Sequence, residues 1–329
     1  MVASLGRVRP EPEIAVVVPC YRARAQVLGV LARIGPECRA IYVVDDACPE
    51  ESGKWVEAQC RDPRVRVLYH PENRGVGGAT VTGYRAALAA GAEILVKLDA
   101  DGQMDPALIP TLVAPIRVGE ADYAKGNRFF ELDGLGAMPG VRLFGNSMLS
   151  FLSKLSSGYW EIFDPTNGFT ALHAAVARHL PWDKVAQRYF FESDLLFRLG
   201  ALRAVVADVP MRAVYGDETS SLSVRRALAE FAWKHARNTL KRIAYRYYLR
   251  DFNFASLELV LGTLLTLGGT AFGLARWWAS ARAGILTGSG TVMLAALPVL
   301  LGVQLLLGFL SYDMQSTPRQ VIHRRLEPR

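Results

Sequence analysis

Two long stretches without a charged residue restrict most strongly how this chain can fold. They are Leu259–Ala275 and Ala283–Tyr312. A transmembrane helix needs about 20 consecutive apolar residues, so we predict two membrane-spanning helices within residues 252–313, joined by a turn around Arg282–Gly290. The alternative is a buried helical hairpin in a soluble domain. The sequence offers no further amphipathic helices to cover such a hairpin, which favours the membrane interpretation.

A strongly basic segment, Ser223–Asp251, comes directly before the hairpin. It contains eight Lys and Arg residues interleaved with aromatic residues, and only Glu230 and Asp251 oppose them. The segment lacks Pro and Gly, which favours a helix. A solvated basic face or a nucleic-acid-binding arm would have the same composition. Its position beside the hairpin favours a helix at the membrane surface, since basic amphipathic helices bind anionic lipid there.

Charge also predicts the orientation of the hairpin. Basic residues precede it and recur in the tail at residues 314–329, whereas the predicted turn has only Arg276 and Arg282 nearby. Loops rich in Lys and Arg remain on the cytoplasmic side, so we expect both termini and the region that precedes the basic segment there, at the inner or cytoplasmic membrane. The first twelve residues lack the pattern of a signal peptide. The four cysteines show no zinc-ligand spacing, which fits a reduced, cytosolic set.

The region before the basic segment, residues 1–222, alternates short apolar runs with helical stretches such as Val81–Ala90. The predicted strands are Ile14–Val18, Ile41–Val44, Val65–Tyr69 and Ile94–Leu98. Runs that are apolar at consecutive positions are typical of strands buried on both faces. This βαβα order predicts an α/β domain with a mostly parallel, doubly wound sheet. Ligands bind beyond the carboxyl ends of the strands in such sheets.

The fourth predicted strand ends in two carboxylates and an amide. Asp99 and Asp101 are separated by one residue, and Gln103 follows two positions later. This spacing allows both carboxylates to approach one hard cation. Mg²⁺ and Mn²⁺ prefer oxygen ligands, retain several waters and often bridge a protein to a diphosphate. We therefore predict a Mn²⁺ or Mg²⁺ site here.

Two further motifs follow predicted strands. Asp45 and Asp46 come after the second strand, where one carboxylate could bind a ribose or a nucleobase and the other could cap a helix. The segment His70–Ala79 follows the third strand and contains three glycines that lead into a helix. A helix N-terminus favours negative charge, but the segment is not a G-x-G-x-x-G fingerprint and does not predict a dinucleotide site.

Taken together, these motifs resemble the family 2 glycosyltransferases of the GT-A fold. The resemblance extends from Val16–Tyr21 through the paired aspartates, Asn73–Gly75 and Asp99–Gln103 to Tyr215-Gly216. With the predicted hairpin, the chain looks most similar to the polyprenyl-phosphate hexose synthases of the dolichyl-phosphate mannose synthase type. One departure is that Arg22-Ala23 stands where many members carry Asn-Glu.

The resemblance implies roles for individual residues. Asp99, Asp101 and Gln103 would bind the metal. The nucleotide-sugar site would comprise Pro19, Tyr21, Asp45, Asp46, Asn73, Gly75 and Asp99. Arginines that bind donor and acceptor phosphates would be Arg128, Arg142 and Arg212. The catalytic set would be Asp101, Asp164, Glu192 and Asp194. Within this set, the acidic pair Glu192 and Asp194 would include the catalytic base. Both residues of the pair would also suit the first turn of a helix.

The activity implied is inverting transfer of a hexose from a UDP- or GDP-sugar to a polyprenyl phosphate at the membrane. Membrane lipid is an expected partner, nucleic acid is not, and homo-oligomer formation stays open. Transfer to a lipid-linked glycan or polysaccharide is the main alternative. Processive synthases normally carry Gln-x-x-Arg-Trp, whereas this chain has Gln187-Arg188-Tyr189. A non-catalytic membrane scaffold is a further alternative, which the intact Asp99/Asp101 pair disfavours.

Overall fold

The apolar runs of the N-terminal half form the strands of one mixed sheet. The computed structural model describes residues 13–128, 140–211 and 224–326. The strands in these ranges are β1 (Ile14–Cys20), β2 (Cys38–Asp45), β3 (Val65–Tyr69), β4 (Ile94–Lys97), β5 (Tyr123–Asn127), β6 (Thr170–His173) and β7 (Val206–Pro210). Their order is β3-β2-β1-β4-β6-β5-β7. Only β6 runs antiparallel to its neighbours β4 and β5, so the predicted α/β fold with a mostly parallel sheet is confirmed.

Helices cover both faces of this sheet. They are α1 (Val27–Ala32), α2 (Ser52–Gln59), α3 (Gly75–Ala89), α4 (Ile109–Arg117), α5 (Gly140–Ser157), α6 (Ala174–Ala177) and α7 (Phe191–Leu202). Along β1, Val16 and Val18 belong to one core cluster, whereas Ala15 and Val17 belong to the other. Burial on both faces explains why the strands are apolar at consecutive positions.

Helix α3 begins six residues before the predicted segment and includes its glycines. A Cβ atom on Gly77 would lie 2.5 Å from the carbonyl oxygen of Ala186, and one on Gly83 would lie 2.3 Å from Cγ1 of Val17. These glycines therefore allow the helix to pack closely on the sheet and on the loop before α7. Close approach, and not a break in the helix, is their structural role.

The C-terminal third consists of helices. They are α8 (Val224–Ile243), a π-helical turn (Ala244–Arg250), α9 (Phe254–Ala283), α10 (Ser289–Gln315) and α11 (His323–Leu326). In the described ranges, α9 and α10 are the two helices long and apolar enough to cross a membrane, as predicted. The chain divides into two units: residues 239–317, called the hairpin unit below, and the remainder, called the catalytic unit, which includes 318–326.

Within the hairpin unit, α9 and α10 pack through small residues. A Cβ atom on Gly302 would lie 2.6 Å from the backbone nitrogen of Thr266 and 2.8 Å from the carbonyl oxygen of Gly262. On α9, Gly269 similarly approaches Ala295. Small residues at such crossings let two helix backbones come close, which is a common arrangement between membrane helices.

The same unit also buries a charged cluster around Asp313. The guanidinium of Arg242 donates two hydrogen bonds, of 2.7 and 2.9 Å, to the two carboxylate oxygens of Asp313. The hydroxyl of Tyr247 donates a third, of 2.5 Å. Asp313 is 1% exposed and Arg242 is 4% exposed. This bidentate pair links the end of α8 to the end of α10.

After the hairpin, the chain returns to the catalytic unit. The backbone nitrogens of Ile322 and His323 donate to the carboxylate of Asp122 at 3.0 and 2.9 Å, and Nδ1 of His323 lies 2.7 Å from Asp122 Oδ1. The His323 ring stacks on His173, with 4.3 Å between centroids. The backbone nitrogen of Val205 also donates to Asp122. Burial opposes ionisation of Asp122, but these hydrogen bonds outweigh it and lower the pKa of the carboxyl.

Candidate active site

A pocket of about 450 Å³ opens at the carboxyl ends of β1 and β4. The chain runs from β1 through β2 to β3 and then returns to the other side of β1, so the strand order reverses between β1 and β4. Open α/β sheets bind ligands at such a reversal. Residues predicted to bind the nucleotide-sugar or metal line the pocket: Pro19, Tyr21, Asp46, Asn73, Gly75, Asp99 and Asp101.

Six predicted site residues that the structure describes do not line the pocket. Those described but absent from the pocket lining are Asp45, Gln103, Arg128, Asp164, Glu192 and Asp194. Arg212 and the side chain of Arg142 lie outside the described residues, as does Tyr215-Gly216. The roles predicted for all these residues stay predictions.

Asp46 organises the loop that leads into α3. Its carboxylate accepts hydrogen bonds from the backbone nitrogens of Arg74 (2.8 Å) and Gly75 (2.7 Å). Nδ1 of His70 lies 2.7 Å from the same carboxylate, and the Asn73 amide donates to the Asp46 carbonyl at 3.2 Å. Asp46 therefore holds the N-terminus of α3 at the pocket, where the helix dipole favours an anion.

Asp45 stabilises the loop after β2. Its two carboxylate oxygens accept hydrogen bonds from the backbone nitrogens of Cys48 (2.8 Å) and Gly53 (2.6 Å), the latter in the first turn of α2. The sequence left an N-cap role open for one of the two aspartates, but the N-cap of α2 is Glu51, and Asp45 stabilises the first turn of the helix from outside it. The neighbouring carboxylates thus act differently, because only Asp46 faces the pocket.

A buried lysine sits behind Asp99. The Lys97 ammonium lies 2.7 Å from Asp99 Oδ1 and 3.2 Å from Glu192 Oε1, and donates to the Gly168 carbonyl at 3.3 Å. A Cβ atom on Gly168 would lie 2.5 Å from both Asp99 Oδ2 and the lysine nitrogen. Glycine at 168 therefore leaves room for this contact. The sequence motif contained Lys97, but its role was not predicted.

Asp99 and Asp101 fit a divalent cation that takes its other ligands from water and a diphosphate. Both line the pocket, and the Asp101 carboxylate accepts a hydrogen bond from the backbone nitrogen of Gln103 at 3.0 Å. Within the described ranges, no group of three His, Cys, Asp or Glu side chains could hold a metal alone. Mg²⁺ commonly binds through one or two carboxylates and substrate phosphates, which these two residues match.

Glu192 lies in the first turn of α7, 8% exposed. Burial raises the pKa of its carboxyl and the nearby Asp99 raises it further, while Lys97 acts in the opposite direction. The ion pair with Lys97 therefore occupies Glu192 beneath the pocket. The Glu192 carboxylate does not line the pocket, as a base that acts on a bound substrate would.

Asp194, the other member of the acidic pair, joins three structural elements. Its carboxylate accepts hydrogen bonds of 3.0 Å from the backbone of Ala186, the guanidinium of Arg198 and the amide of Asn238. It is 5% exposed. These contacts fix α7 against the preceding loop and α8, which is a positional role.

Arg128 pairs with Asp164 away from the pocket. Nε of Arg128 donates to Asp164 Oδ2 at 2.8 Å, and the second guanidinium nitrogen donates to Oδ1 at 3.1 Å. Burial opposes ionisation of Asp164, but Arg128 and the nearby Lys125 outweigh it and lower the pKa of the carboxyl. Two residues that were predicted separately, as a phosphate-binding arginine and a catalytic acid, therefore form one ion pair.

Sequence reasoning missed four polar side chains of the pocket: Arg22, Gln26, Arg188 and Tyr189. Arg22 marked the departure from the family pattern, and Arg188-Tyr189 appeared only in the discussion of a missing motif. The available signal was their position in loops that follow β1 and precede α7. Without the fold, nothing showed that these loops meet.

The mixed α/β sheet with a pocket at its strand reversal defines a glycosyltransferase-like class of fold, and sequence comparison identifies the family. Glycosyl transferase family 2 matches residues 15–180, about half of the chain. The chain belongs to this family. The match covers β1 to α6 and includes Asp46, Asp99 and Asp101, so the predicted family is confirmed.

Characterised relatives act on polyprenyl phosphates, according to their names. The undecaprenyl-phosphate mannosyltransferase of Micrococcus luteus is 30% identical over 206 residues, covering 61% of this chain and 83% of that protein. The UDP-N-acetylglucosamine–dolichyl-phosphate N-acetylglucosaminyltransferase of Methanococcus voltae is 27% identical over 216 residues, covering 61% and 86%. The similarity to polyprenyl-phosphate sugar synthases is thus confirmed, while the two relatives differ in sugar.

Solved structures confirm the GT-A fold. Glucosyl-3-phosphoglycerate synthase of Mycobacterium tuberculosis, in complex with Mn²⁺, UDP and phosphoglyceric acid, superposes with a TM-score of 0.54 at 19% identity. The match covers 70% of this chain and 78% of that one. At this identity the likeness concerns the fold alone.

Proposed function

We propose that this protein transfers a hexose from a UDP- or GDP-sugar to a polyprenyl phosphate at the cytoplasmic face of a membrane. Asp99 and Asp101 hold Mn²⁺ or Mg²⁺ together with the donor diphosphate. When bound, the cation stabilises the charge that develops on the leaving nucleoside diphosphate. The names of the relatives support the acceptor class, because both combine a sugar with a polyprenyl phosphate.

The observation that carries the choice of acceptor is that few carboxylates among the described residues are available to act as a base at the pocket. Among the described residues, the carboxylates that line the pocket are Asp46, Asp99 and Asp101. Asp46 accepts backbone hydrogen bonds, and the other two are assigned to the cation. Glu192 and Asp194 are held by other protein groups below or beside the pocket.

A phosphate acceptor suits this arrangement. A phosphate monoester has a second pKa of about 6 and is already largely ionised near neutral pH. It can attack the anomeric carbon without giving up a proton. The reaction rate therefore depends more on how the phosphate is positioned than on a catalytic base. A sugar hydroxyl would need a base within reach of the reacting oxygen. Inversion follows from a single direct displacement.

The exposed apolar faces of the hairpin unit support a lipid partner. Only 11% of the most apolar window of each long helix is buried. Leu264 and Leu300, near the middle of these helices, are 63% and 66% exposed. A surface of this kind is stable in hydrocarbon and aggregates in water. Trp277 and Trp278 lie near the turn between the helices. Tryptophan is enriched at the interface between a membrane and water, which such a turn would approach.

Connectivity supports a hairpin that enters and leaves the membrane on one side. The chain up to Asn238 and the chain from Pro318 onward both belong to the catalytic unit, so the chain leaves this unit for the hairpin and then returns to it. The contacts of Ile322 and His323 with Asp122 keep the tail on the same side as the sheet. The basic residues on both flanks favour the cytoplasmic side. We assign residues 1–222 to the catalytic domain, 223–251 to the interfacial helix, 252–313 to the spans and 314–329 to the tail.

A product assay tests this proposal. The full chain in detergent is incubated with UDP- and GDP-linked sugars, undecaprenyl or dolichyl phosphate, and Mn²⁺ or Mg²⁺, and lipid products are measured by mass spectrometry. We expect a polyprenyl-phosphate sugar that EDTA abolishes and that Asp101→Asn reduces about a hundredfold or more. Asp105→Asn is the matched control, because Asp105 is partly exposed, pairs with Arg33 and lies outside the pocket.

Other outcomes would redirect or refute the proposal. Metal-dependent hydrolysis of a donor without a lipid product would exclude the phosphate acceptor, and lipid-linked glycans would be tested next. Lipid product that persists in EDTA and in Asp101→Asn would refute the metal assignment. Lack of binding of every nucleotide-sugar would refute the transferase function of this chain.

A further inference from the structure

Two arginines at the pocket have no anionic partner among the described residues. Arg22 follows β1 and Arg188 precedes α7, and both are exposed and line the pocket with Asp99 and Asp101. The Arg22 guanidinium lies 5.4 Å from the centroid of the Tyr21 ring, which leaves its hydrogen-bond donors available. By contrast, Arg128 forms an ion pair with Asp164, and Arg198 forms one with Asp194. Guanidinium donors that face a pocket and lack a carboxylate suit phosphate oxygens.

The backbone conformation of Arg22 positions this residue at the pocket. Its φ angle is 54°, in the left-handed region that is uncommon for residues other than glycine. Its backbone nitrogen donates to Sγ of Cys48 at 3.0 Å. Strained backbone that persists at a pocket is often associated with a ligand. The conformation holds the residue at the pocket mouth while its side chain stays available.

Backbone hydrogen bonds likewise hold the loop that contains Arg188. The carbonyl of its neighbour Gln187 accepts a hydrogen bond from the backbone nitrogen of Gly78 at 3.0 Å, and its own carbonyl accepts one from Phe191 at 2.9 Å. A Cβ atom on Gly75 would lie 2.8 Å from the Gln187 carbonyl oxygen. The loop is thereby pressed against the N-terminus of α3, which also favours an anion.

We propose that Arg22 and Arg188 together bind a phosphate group in this pocket. This inference rests on the proposed function and assigns phosphate binding to residues other than Arg128, Arg142 and Arg212. The phosphate has two candidate sources, the diphosphate of the donor and the phosphate of the lipid acceptor. Both sources share the chemistry of a phosphate oxyanion beside the Asp99/Asp101 cation.

Binding and kinetics distinguish the two sources. Affinity for UDP, GDP and the corresponding monophosphates is measured calorimetrically with the full chain in detergent and Mn²⁺, for wild type, Arg22→Gln, Arg188→Gln and the double variant. If the donor is the source, each single variant weakens diphosphate binding about tenfold, as expected for loss of a charge-assisted hydrogen bond. Monophosphate binding then changes less, and Arg22→Lys retains part of the affinity.

If the lipid is the source, diphosphate affinity stays at the wild-type value. The KM for undecaprenyl phosphate then rises about tenfold in each variant at saturating donor. Raised salt should weaken the wild-type interaction more than that of the double variant, because the contacts are electrostatic. Arg24→Gln is the matched control: Arg24 is exposed, stacks on Trp55 at 4.5 Å and lies outside this pocket.

Two outcomes would overturn the inference. If Arg22→Gln, Arg188→Gln and the double variant match Arg24→Gln in diphosphate affinity and in KM for the lipid phosphate, the arginine pair does not bind phosphate, and the proposed function stands. If the wild-type protein binds neither UDP nor GDP, the proposed function fails and the arginine pair fails with it.

Discussion

The catalytic unit and the hairpin unit use apolar residues in opposite ways. In the catalytic unit, Val16 and Val43 lie in strands, fully buried beneath helices on both faces of the sheet. In the hairpin unit, Leu264 and Leu300 point outward, while Arg242 and Asp313 are buried. Water solvates apolar groups poorly and hydrocarbon solvates charged groups poorly. The comparison thus fits the proposed surroundings, which are water for the catalytic unit and a membrane for the hairpin unit.

Both units nevertheless rely on a buried aspartate. Asp122 accepts backbone hydrogen bonds from the tail, and Asp313 accepts side-chain hydrogen bonds from α8 and the π-helical turn. In each case one carboxylate joins segments that are far apart in sequence. The difference is that one partner of Asp313, the Arg242 guanidinium, carries a charge, so removal of Asp313 leaves a buried cation behind.

The largest expected effect comes from Asp313→Ala. It removes the carboxylate that pairs with the buried Arg242 guanidinium, which costs about 3–5 kcal/mol. Tryptophan fluorescence of Trp277 and Trp278 during denaturation in detergent would report the loss of hairpin stability. Asp251→Ala is an exposed control. Replacing both members, with Arg242→Met and Asp313→Leu, should recover most of the loss, and no recovery would mean that the cluster acts through more than its charges.

Asp122→Ala tests the corresponding contact in the catalytic unit. It removes the acceptor for the backbone nitrogens of Val205, Ile322 and His323, at a cost of about 3 kcal/mol. We expect faster cleavage by trypsin after Arg324 and Arg325, while the hairpin transition stays unchanged. A tail as protected as in the wild type would show that contacts other than Asp122 hold it.

Gly302→Ala probes the crossing of α9 and α10. The added methyl group would meet backbone atoms of Thr266 and Gly262, so α9 and α10 would have to move apart. We expect this to lower the free energy of unfolding by about 1–3 kcal/mol. Gly268→Ala is the matched control, because no atom lies within 4 Å of a Cβ at that position. Equal unfolding midpoints for the two variants would contradict close packing at Gly302.

The smallest effect concerns pH. Burial lowers the pKa of His235 to about 4, and its Nδ1 lies 2.8 Å from the Ser156 hydroxyl. The unfolded state takes up a proton near the usual pKa of about 6.5, so stability is full above that value and declines as the pH falls toward 4. Lowering the pH from about 7.5 to about 5.5 should cost about 1.4 kcal/mol at this site.

His235→Gln should remove that component of the pH dependence of unfolding, measured by thermal denaturation of the catalytic unit within the full chain. His179→Gln, at an exposed histidine, should leave it in place. A wild-type slope in His235→Gln would place the titrating group elsewhere.

Local patterns in the sequence predicted a large part of this fold. Continuous apolar runs identified β1 to β4, and the uncharged stretches identified α9 and α10, because each pattern reflects burial within one element. Asp99 and Asp101 were predictable since a strand end places them at the ligand-binding edge. The antiparallel strand β6 was not, because Thr170–His173 is short and its pairing depends on neighbours far along the chain.

Contacts between distant segments account for what the sequence did not predict in the site. Arg128 pairs with Asp164 and Lys97 pairs with Glu192, each across separate segments of the chain, and Arg22 and Arg188 line one pocket from separate loops. A side chain's type shows what it can bind, but its actual partner depends on the fold. The docking of the tail on Asp122, about two hundred residues earlier in the chain, left no local pattern either.

That docking makes the catalytic unit discontinuous in sequence, with the hairpin as an insertion between Asn238 and Pro318. During synthesis from the N-terminus, the sheet and its helices emerge first and the hairpin next. Ile322 and His323 leave the ribosome only after both long helices have been made. Asp122 therefore receives its last hydrogen-bond donors only after the hairpin has been synthesised, so the catalytic unit is completed after its proposed membrane anchor.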